Sequence, residues 1–576
     1  MKQQKKQTNK PAPAKVLKKT NNATPNWDSN ISPQVFSYLV TGVFFLVALL
    51  GITHHEMWRD EHQAFLVARD AHSLPQLLQN MRYEGNPALW HLLLFFITCF
   101  THNPVYMQGL HLLIACGFVY VFNRYSTVGM VTKILFSFSY FALYEYAVIS
   151  RSYGLGVLLI FIACALFKHR SRNYLLIGIV LALLCNVTIY AVVIAAGIAG
   201  ILVLDYIFYQ AKSRELTLKL IGGGVLLLIG ILASIYQILP DKNNGFPAFY
   251  ATEFFEMPRW GTVASRIFVS YFYIPNTDSI HFWNTNHYFP EYPTLSLPFW
   301  GWLSENKAYL WGWYYMPVIL FITASIIFMR KPLICLLYMG VTTILLAVFY
   351  YTDLIHMRYC GYLFIVLVSC YWLAGYYPEK TFKNTFLNTL SNIGKRISIP
   401  FLVLVLSTNV IGAMAAYNFD LNNKFSVSKD AADYIHQNKL DTLKIVGVTD
   451  FTLAPLTSYL DNKIYYSQMH AYGSYCVWSK QRNATITFKD LAESVLDLMG
   501  KERHEVLMIS TNLQKFSMDG GKTNVPLTRA MISPDVKIDM IQSFEGGIMA
   551  DECYYLYKVQ PADTLRDDLH DYIRLH

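Results

Sequence analysis

Residues 57–90, MWRDEHQAFLVARDAHSLPQLLQNMRYEGNPALW, form the longest charged stretch in the first third of a 576-residue chain that is otherwise strongly apolar. Arg59, Asp60, Glu61, Arg69, Asp70, Arg82 and Glu84 all follow directly on the first apolar segment, Val35 to Ile52. With 54% hydrophobic and only 15% charged residues, the chain departs from soluble domains, in which about a quarter of residues are charged. It reads as a membrane protein. The formal charge of +9 does not point to nucleic acid, because residues 1–27 hold seven lysines and no acid; residues 1–30 read as a disordered basic cytoplasmic tail. The first apolar run ends in THHEMW rather than in a small-residue cleavage site, which marks a retained anchor.

Working outward from that anchor, a span needs roughly 20 mostly apolar residues. The candidates are 35–53, 104–122, 130–148, 152–167, 173–189, 191–209, 217–239, 309–329, 332–350, 359–376 and 398–417. Short loops rich in Lys and Arg belong in the cytoplasm. KHRSRN (168–173), QAKSRELTLK (210–219), MRK (329–331) and the basic segment 379–396 can all share that side. The parity requires that the 14 residues Pro87 to Phe100 do not cross fully and lie instead as an interfacial or re-entrant helix. About eleven spans are therefore expected, within a transmembrane domain over 31–417. External loops are expected at 54–103 and 240–306, and an external C-terminal domain at 418–576.

The 240–306 loop, with FPAFYATEFFEMPRW and FWNTNHYFPEYP, has the aromatic and proline density of an ordered segment lying on the membrane surface. In the C-terminal part, KDAADYIHQN and FKDLAESVLDLM are helix-like, whereas LKIVGV and HEVLMIS are strand-like. That alternation predicts a small α/β sheet domain. Seven of the nine cysteines fall in or beside apolar segments; Cys476 and Cys553 lie in the polar part, where a disulfide is an open option.

Within the opening stretch, Phe65, Leu66, Leu74, Leu77, Leu78 and Met81 are interleaved with polar residues and broken once at Pro75. The pattern predicts two short amphipathic helices in the interface plane, with Arg59, Arg69, Asp70 and Arg82 solvated. EGNPALWHLLL then re-enters the apolar layer, with Glu84 and His91 facing a cavity or a structural partner. By parity, Asp60 and Glu61 share one level with Arg151 in VISRSYG and with Asp353, His356 and Arg358 in YTDLIHMRY. Charges at the edge of hydrocarbon line water-filled cavities or pair with one another. A carboxylate that takes a proton beside arginines that grip phosphate suits group transfer from a phosphate-linked donor.

Four features together resemble the GT-C superfamily of polytopic glycosyltransferases, which includes dolichyl-phosphate-mannose-protein mannosyltransferases and the lipid A aminoarabinose transferase. They are the acidic pair Asp60-Glu61 after the first span, EGNPALWHLLL, SRSYGLGVLL (150–159) and MRYCGYLFIVLV (357–368). The resemblance implies a polytopic α-helical GT-C-like membrane fold with an external α/β domain, in a bacterial cytoplasmic membrane. It implies transfer of a sugar from a polyprenyl-phosphate donor to an envelope glycan, lipid or protein. Asp60 would be the catalytic base, with Glu61 a second candidate. Arg151, Tyr153, Arg358 and Tyr359 would bind the donor, with Glu84, His91, Asp353 and His356 as further substrate-binding candidates. A divalent cation is an open option, with Asp60, Glu61 and Asp353 as its oxygen ligands. The alternatives are an oligosaccharide transferase of the O-antigen-ligase type and a secondary transporter; informative charges at one face and no internal repeat weigh against transport.

Overall fold

The computed structural model describes residues 31–239, 241–245, 257–279, 281–287, 314–353, 355–486, 488–500, 504–511 and 536–561. The N-terminal tail and, within the expected 240–306 loop, residues 240, 246–256, 280 and 288–306 lie outside them. The described chain is a helical bundle capped at one end by a small sheet domain. In chain order the bundle contains α1 (Pro33–His54), α2 (Arg59–Arg69), α3 (Leu74–Asn80), α4 (Leu89–Thr98), α5 (Val105–Tyr125), α6 (Met130–Ser137), a π-helix (Tyr140–Val148), α7 (Tyr153–Leu166), α8 (Arg170–Cys185), α9 (Ile189–Tyr209), α10 (Arg214–Ile238), α11 (Met257–Tyr271), α12 (Met316–Phe328), α13 (Pro332–Thr352), α14 (Met357–Ala374) and α15 (Thr385–Asn422). Eight helical stretches among the described residues are long and apolar enough to cross a membrane, so the chain is a multi-pass membrane protein.

The described residues of each expected span are mostly helical, and the lower count has three physical sources. Tyr153–Cys185 is a single stretch by length, but a 3-10 turn at Phe167–His169 interrupts it. There His169 leaves helical geometry at φ −120°, ψ 39°, and α7 and α8 pack side by side. Segment 130–148 breaks at Phe138–Ser139 into α6 and the π-helix. Within 309–329, the described α-helix α12 is 13 residues long. Pro87 to Phe100 supplies only the ten-residue α4, about 15 Å at 1.5 Å per residue, which is half of a hydrocarbon core.

The four basic loops meet at one end of the bundle. Arg170 pairs with Asp205 through two hydrogen bonds of 2.6 and 2.8 Å and lies over the Tyr377 ring, Lys380 lies over Tyr209, and Arg330 reaches Glu379 at 3.2 Å. Small residues let α8 and α10 touch backbone to backbone: a Cβ on Gly223 would come within 2.4 Å of the Tyr174 carbonyl oxygen. Such close contact is the means by which apolar helices associate without a hydrophobic driving force. Gly223→Ala is expected to force these helices apart and cost about 1–3 kcal/mol, read as a lower melting temperature in detergent.

Two expectations are corrected here. The 240–306 segment is not wholly a surface loop: α11 buries Val263, Ile267 and Tyr271 at four-residue spacing. It is tied into the bundle by Tyr271 OH to Tyr338 OH (3.0 Å), Asn409 Nδ2 to the Tyr271 carbonyl (2.8 Å) and Arg259 Nε to the Tyr350 carbonyl (2.7 Å). Trp260, Phe268 and Tyr271 belong to this packed helix. The two short helices of the opening stretch do form, but α2 does not lie on a membrane surface. Glu61, His62 and Ala64 through Arg69 are buried because α2 is enclosed between α4 and a helix of the C-terminal domain.

That domain begins beyond α15, which runs 38 residues and overshoots its apolar run at both ends. It contains α16 (Ser428–Gln437), β1 (Lys444–Val448), α17 (Asp450–Leu460), β2 (Ile464–Tyr466), β3 (Ala471–Gly473), α18 (Phe488–Met499), β4 (Val506–Ser510), β5 (Val536–Phe544) and β6 (Tyr554–Pro561), with strand order β3-β2-β1-β4-β6-β5. The central β1 is parallel to β2 and β4. Alternate residues of β1 face opposite cores: Ile445 packs with Leu453 and Ile435, Val446 with Leu491 and Val495. The four expected elements are all present. Cys476 and Cys553 are free thiols.

The charges expected to be solvated instead fasten this domain to α2. Arg59 Nη1 meets Asp551 at 2.5 Å, Arg69 donates to the Thr457 carbonyl at 3.1 Å and meets Asp461 at 3.2 Å, and Asp70 accepts from the Ser474 hydroxyl. Arg82, more than half exposed, pairs with Asp241. The Arg59 amide donates to Glu552 Oε1 (2.9 Å), and the Ser426 hydroxyl to Oε2 (2.7 Å). Burial nevertheless pushes the Glu552 carboxyl up to about 7, the Arg59 charge offsetting it only in part. The folded state then holds a proton that the unfolded chain releases near pH 4.5, so stability falls as pH rises from 4.5 through 7. Glu552→Gln is expected to match the native protein below pH 4.5 and to exceed it by on the order of 3 kcal/mol above pH 7, measured by denaturant unfolding across that range.

Candidate functional site

Three chain segments converge at the end of the bundle that carries the sheet domain. Asp60 lies in the first turn of α2, where a helix N-terminus favours negative charge. Arg151 sits in the connection between the π-helix and α7, and Arg358 is the second residue of α14. Asp60 Oδ2 accepts from Arg151 Nη1 at 2.5 Å and from Arg358 Nη1 at 2.7 Å, across 91 and 298 residues of sequence. Burial alone would raise the Asp60 carboxyl, but Arg151, Arg358 and Arg59 hold it well below the usual carboxylate range. The carboxylate and its two guanidinium partners carry a net charge of one positive unit.

Aromatic rings support both arginines. Arg151 lies 5.7 Å from the Tyr153 ring centre and Arg358 lies 5.1 Å from that of Tyr359. Tyr153 and Tyr359 meet edge to face at 5.8 Å, and Tyr190 adds a third ring 5.0 Å from Tyr359. Around this group, the Tyr153 and Tyr190 hydroxyls, Arg358 Nε, His356 Nδ1 and both ring nitrogens of His91 are buried without a hydrogen-bond partner among the described residues. Native structures leave few such atoms, and each calls for an explanation. Gathered beside one ion-paired carboxylate, they suit a polar ligand.

The remaining candidates separate. Glu84 is partly buried, accepts from Gln63 Nε2 at 2.7 Å, and is pushed up to about 7 by burial against the opposing pull of Gln63 and Arg151. Gln63 in turn exchanges hydrogen bonds of 2.8 and 3.0 Å with the Cys476 backbone, so the sheet domain fixes this carboxyl. His356 is held neutral at pH 7, lowered to about 3 by burial and by Arg358. Glu61 faces away from the arginines. Its Oε1 accepts from the Ser150 amide at 2.6 Å, and its Oε2 from the Trp58 amide at 3.2 Å and from His55 Nε2 at 3.0 Å. Saturated and fully buried, it braces the Asp60 turn against the Arg151 connection. Asp353 stands apart: it is half exposed, has φ 56°, and pairs with Arg259 at 3.4 Å. Asp60, Glu61 and Asp353 therefore do not come together as the oxygen ligand set left open for a divalent cation, and among the described residues no group of three or more His, Cys, Asp or Glu side chains is arranged to hold a metal ion.

The sequence reading missed the brace behind the site. His55 joins Glu61 to Asp420, donating through Nδ1 at 2.8 Å, and Tyr144 OH also reaches Asp420 at 2.9 Å. It also missed Glu145, buried in the π-helix and bonded to Tyr140 OH at 2.8 Å. A usable signal was present for both acids, because an ionisable residue within or abutting an apolar run marks a functional or tightly paired position. Comparison with protein-family models and with curated proteins finds no match for this chain.

Proposed function

We propose that this multi-pass protein is a membrane glycosyltransferase of GT-C type, with about eleven spans in a bacterial cytoplasmic membrane. In this reading Asp60, Arg151 and Arg358 lie at the outer face, below an external sheet domain. It moves a sugar from a polyprenyl-phosphate donor to a cell-envelope glycan, lipid or protein. The observation that carries the reading is the meeting of Arg151 and Arg358 on Asp60 Oδ2, ringed by buried polar atoms without partners.

The chemistry follows from competition for the guanidinium groups. A donor phosphate is a better bidentate partner for arginine than a single carboxylate oxygen. On binding, it takes over the arginines and releases Asp60. Relieved of its two cations, the carboxylate regains basicity and takes the proton of the acceptor hydroxyl. As that oxygen bonds to the anomeric carbon, the bond from carbon to the phosphate oxygen breaks, and the electron pair leaves on the lipid phosphate, where both arginines stabilise it. Tyr153 and Tyr359 keep the arginines in place. Glu84, poised near pH 7 beside Arg151, relays the proton outward.

A donor screen with the purified full-length protein tests this. Release of polyprenyl phosphate from a radiolabelled polyprenyl-phosphate sugar is expected, and Arg151→Gln and Arg358→Gln are each expected to raise the donor KM by about tenfold or more. Turnover of diphosphate-linked oligosaccharides alone would instead favour the ligase reading. Turnover of neither donor class, across a broad acceptor panel, would remove the transferase assignment.

A further inference from the structure

A cavity of ≈ 710 Å³ opens between the end of α1, the start of α5 and the sheet domain. Asp60, Arg151 and Arg358 do not line it. His55 does, and behind His55 stands Glu61, so the cavity lies on the other side of the brace from the candidate active site. Its lower wall includes Leu49 and Val105, which are 37% and 54% exposed on two helices long and apolar enough to span a membrane. Its upper wall is polar. A pocket of this size with an apolar base and a few polar groups is proportioned for one small ligand or lipid headgroup.

The charges on the polar wall decide the class of ligand. Of the two acids there, Asp461 is taken up by Arg69 at 3.2 Å and His102 at 3.1 Å, and Glu56 accepts from the Phe425 amide at 3.0 Å beside Lys424. Lys429 has no ion pair or hydrogen bond among the described residues. Ser458, only 2% exposed, also lines the cavity, and its buried hydroxyl has no hydrogen-bond partner among the described residues. The wall thus offers an unpaired cation and a buried hydroxyl, while its two acids are already engaged, Asp461 with Arg69 and His102 and Glu56 with a backbone amide. We infer that the cavity binds one anionic phospholipid, its chains along α1 and α5 and its phosphate against Lys429 and Ser458.

The inference does not depend on the transferase reading, and its test needs no activity. Full-length protein, stripped of lipid in detergent and offered dioleoyl-phosphatidylglycerol or dioleoyl-phosphatidylcholine, is examined by native mass spectrometry. One phosphatidylglycerol per chain is expected to survive at energies that remove phosphatidylcholine. Lys429→Glu, which replaces a cation by an anion near the membrane surface, is expected to lower that retention about tenfold or more. Val105→Trp, at an exposed position that tolerates bulk, is expected to lower it by obstructing the apolar base. Lys439→Glu, on a lysine that does not line the cavity, is expected to leave it unchanged. Equal retention of both lipids, or retention unaffected by Lys429→Glu and Val105→Trp, overturns the inference. So does displacement of phosphatidylglycerol by millimolar inorganic phosphate, which would make this a site for a soluble anion.

Discussion

Asp60→Asn is expected to lower sugar transfer by about 10²–10⁴-fold, the range set by losing a positioned proton acceptor, and at the same time to tighten binding of polyprenyl phosphate. The two effects run in opposite directions because Asp60 has two roles. In the free protein it is the counter-charge of Arg151 and Arg358, so a donor phosphate must displace it. Asparagine is neutral and competes weakly, which leaves both guanidinium groups available to the phosphate. The same change strands two part-buried cations, at a cost below the roughly 3–5 kcal/mol of breaking a fully buried pair. Bound lipid phosphate restores much of that stability by mass action. The check is a paired measurement on one preparation: equilibrium binding of polyprenyl phosphate, and transfer of radiolabelled sugar. Retained transfer removes Asp60 from the role of base. Weakened lipid binding would show that the arginines do not hold the phosphate.

The meeting of Asp60, Arg151 and Arg358 was legible in sequence to the extent that parity along the chain fixes height. Each motif lies at the same end of its helix, and alternating spans bring those ends level. Parity says nothing about azimuth around the bundle. Asp353 is at the same level as Arg358 and only five positions away, yet it turns outward to Arg259. The left-handed residue after α13 redirects the chain there, and no periodicity in YTDLIHMRY announces that turn.

What sequence hid most completely is the function of the charges in the opening stretch. Helical period places Arg59, Arg69 and Asp70 among polar residues, which reads as a solvated face when the only other partner considered is a membrane. Their partners are Asp551, Asp461 and Ser474, hundreds of residues downstream. A helix that buries its polar face against a second domain has the same amphipathic pattern as one that exposes it to water. Likewise α11 was obscured because its Pro, Trp and Arg mimic an interfacial loop, although its Val263, Ile267 and Tyr271 spacing is helical. Where one segment faced one environment, as in β1 and β4 buried on both sides, local pattern was sufficient.

His55→Ala is the variant expected to harm stability most. Its imidazole is enclosed with Glu61 at 3.0 Å and Asp420 at 2.8 Å. Burial alone would hold the ring neutral, but Asp420 and Glu61 outweigh it and push His55 up to about 10, so it is charged at neutral pH. Because the folded chain binds this proton more tightly than the unfolded one, the contribution is present in full below pH 6.5 and fades as pH rises toward 10. Removing the ring leaves two buried carboxylates facing each other, at a cost of about 3–5 kcal/mol near pH 6.5. The deficit relative to the native protein should shrink steadily between pH 7 and 10, since the native protein loses the same interaction there. Unfolding measured in detergent at several pH values checks this, and a deficit independent of pH would show that His55 contributes only packing. Transfer should fall as well. Glu61 is bonded both to His55 and to the Ser150 amide, one residue before Arg151. With His55 gone, the brace that keeps Arg151 within reach of Asp60 loses its charged partner, and the arrangement on which donor binding depends loosens from behind.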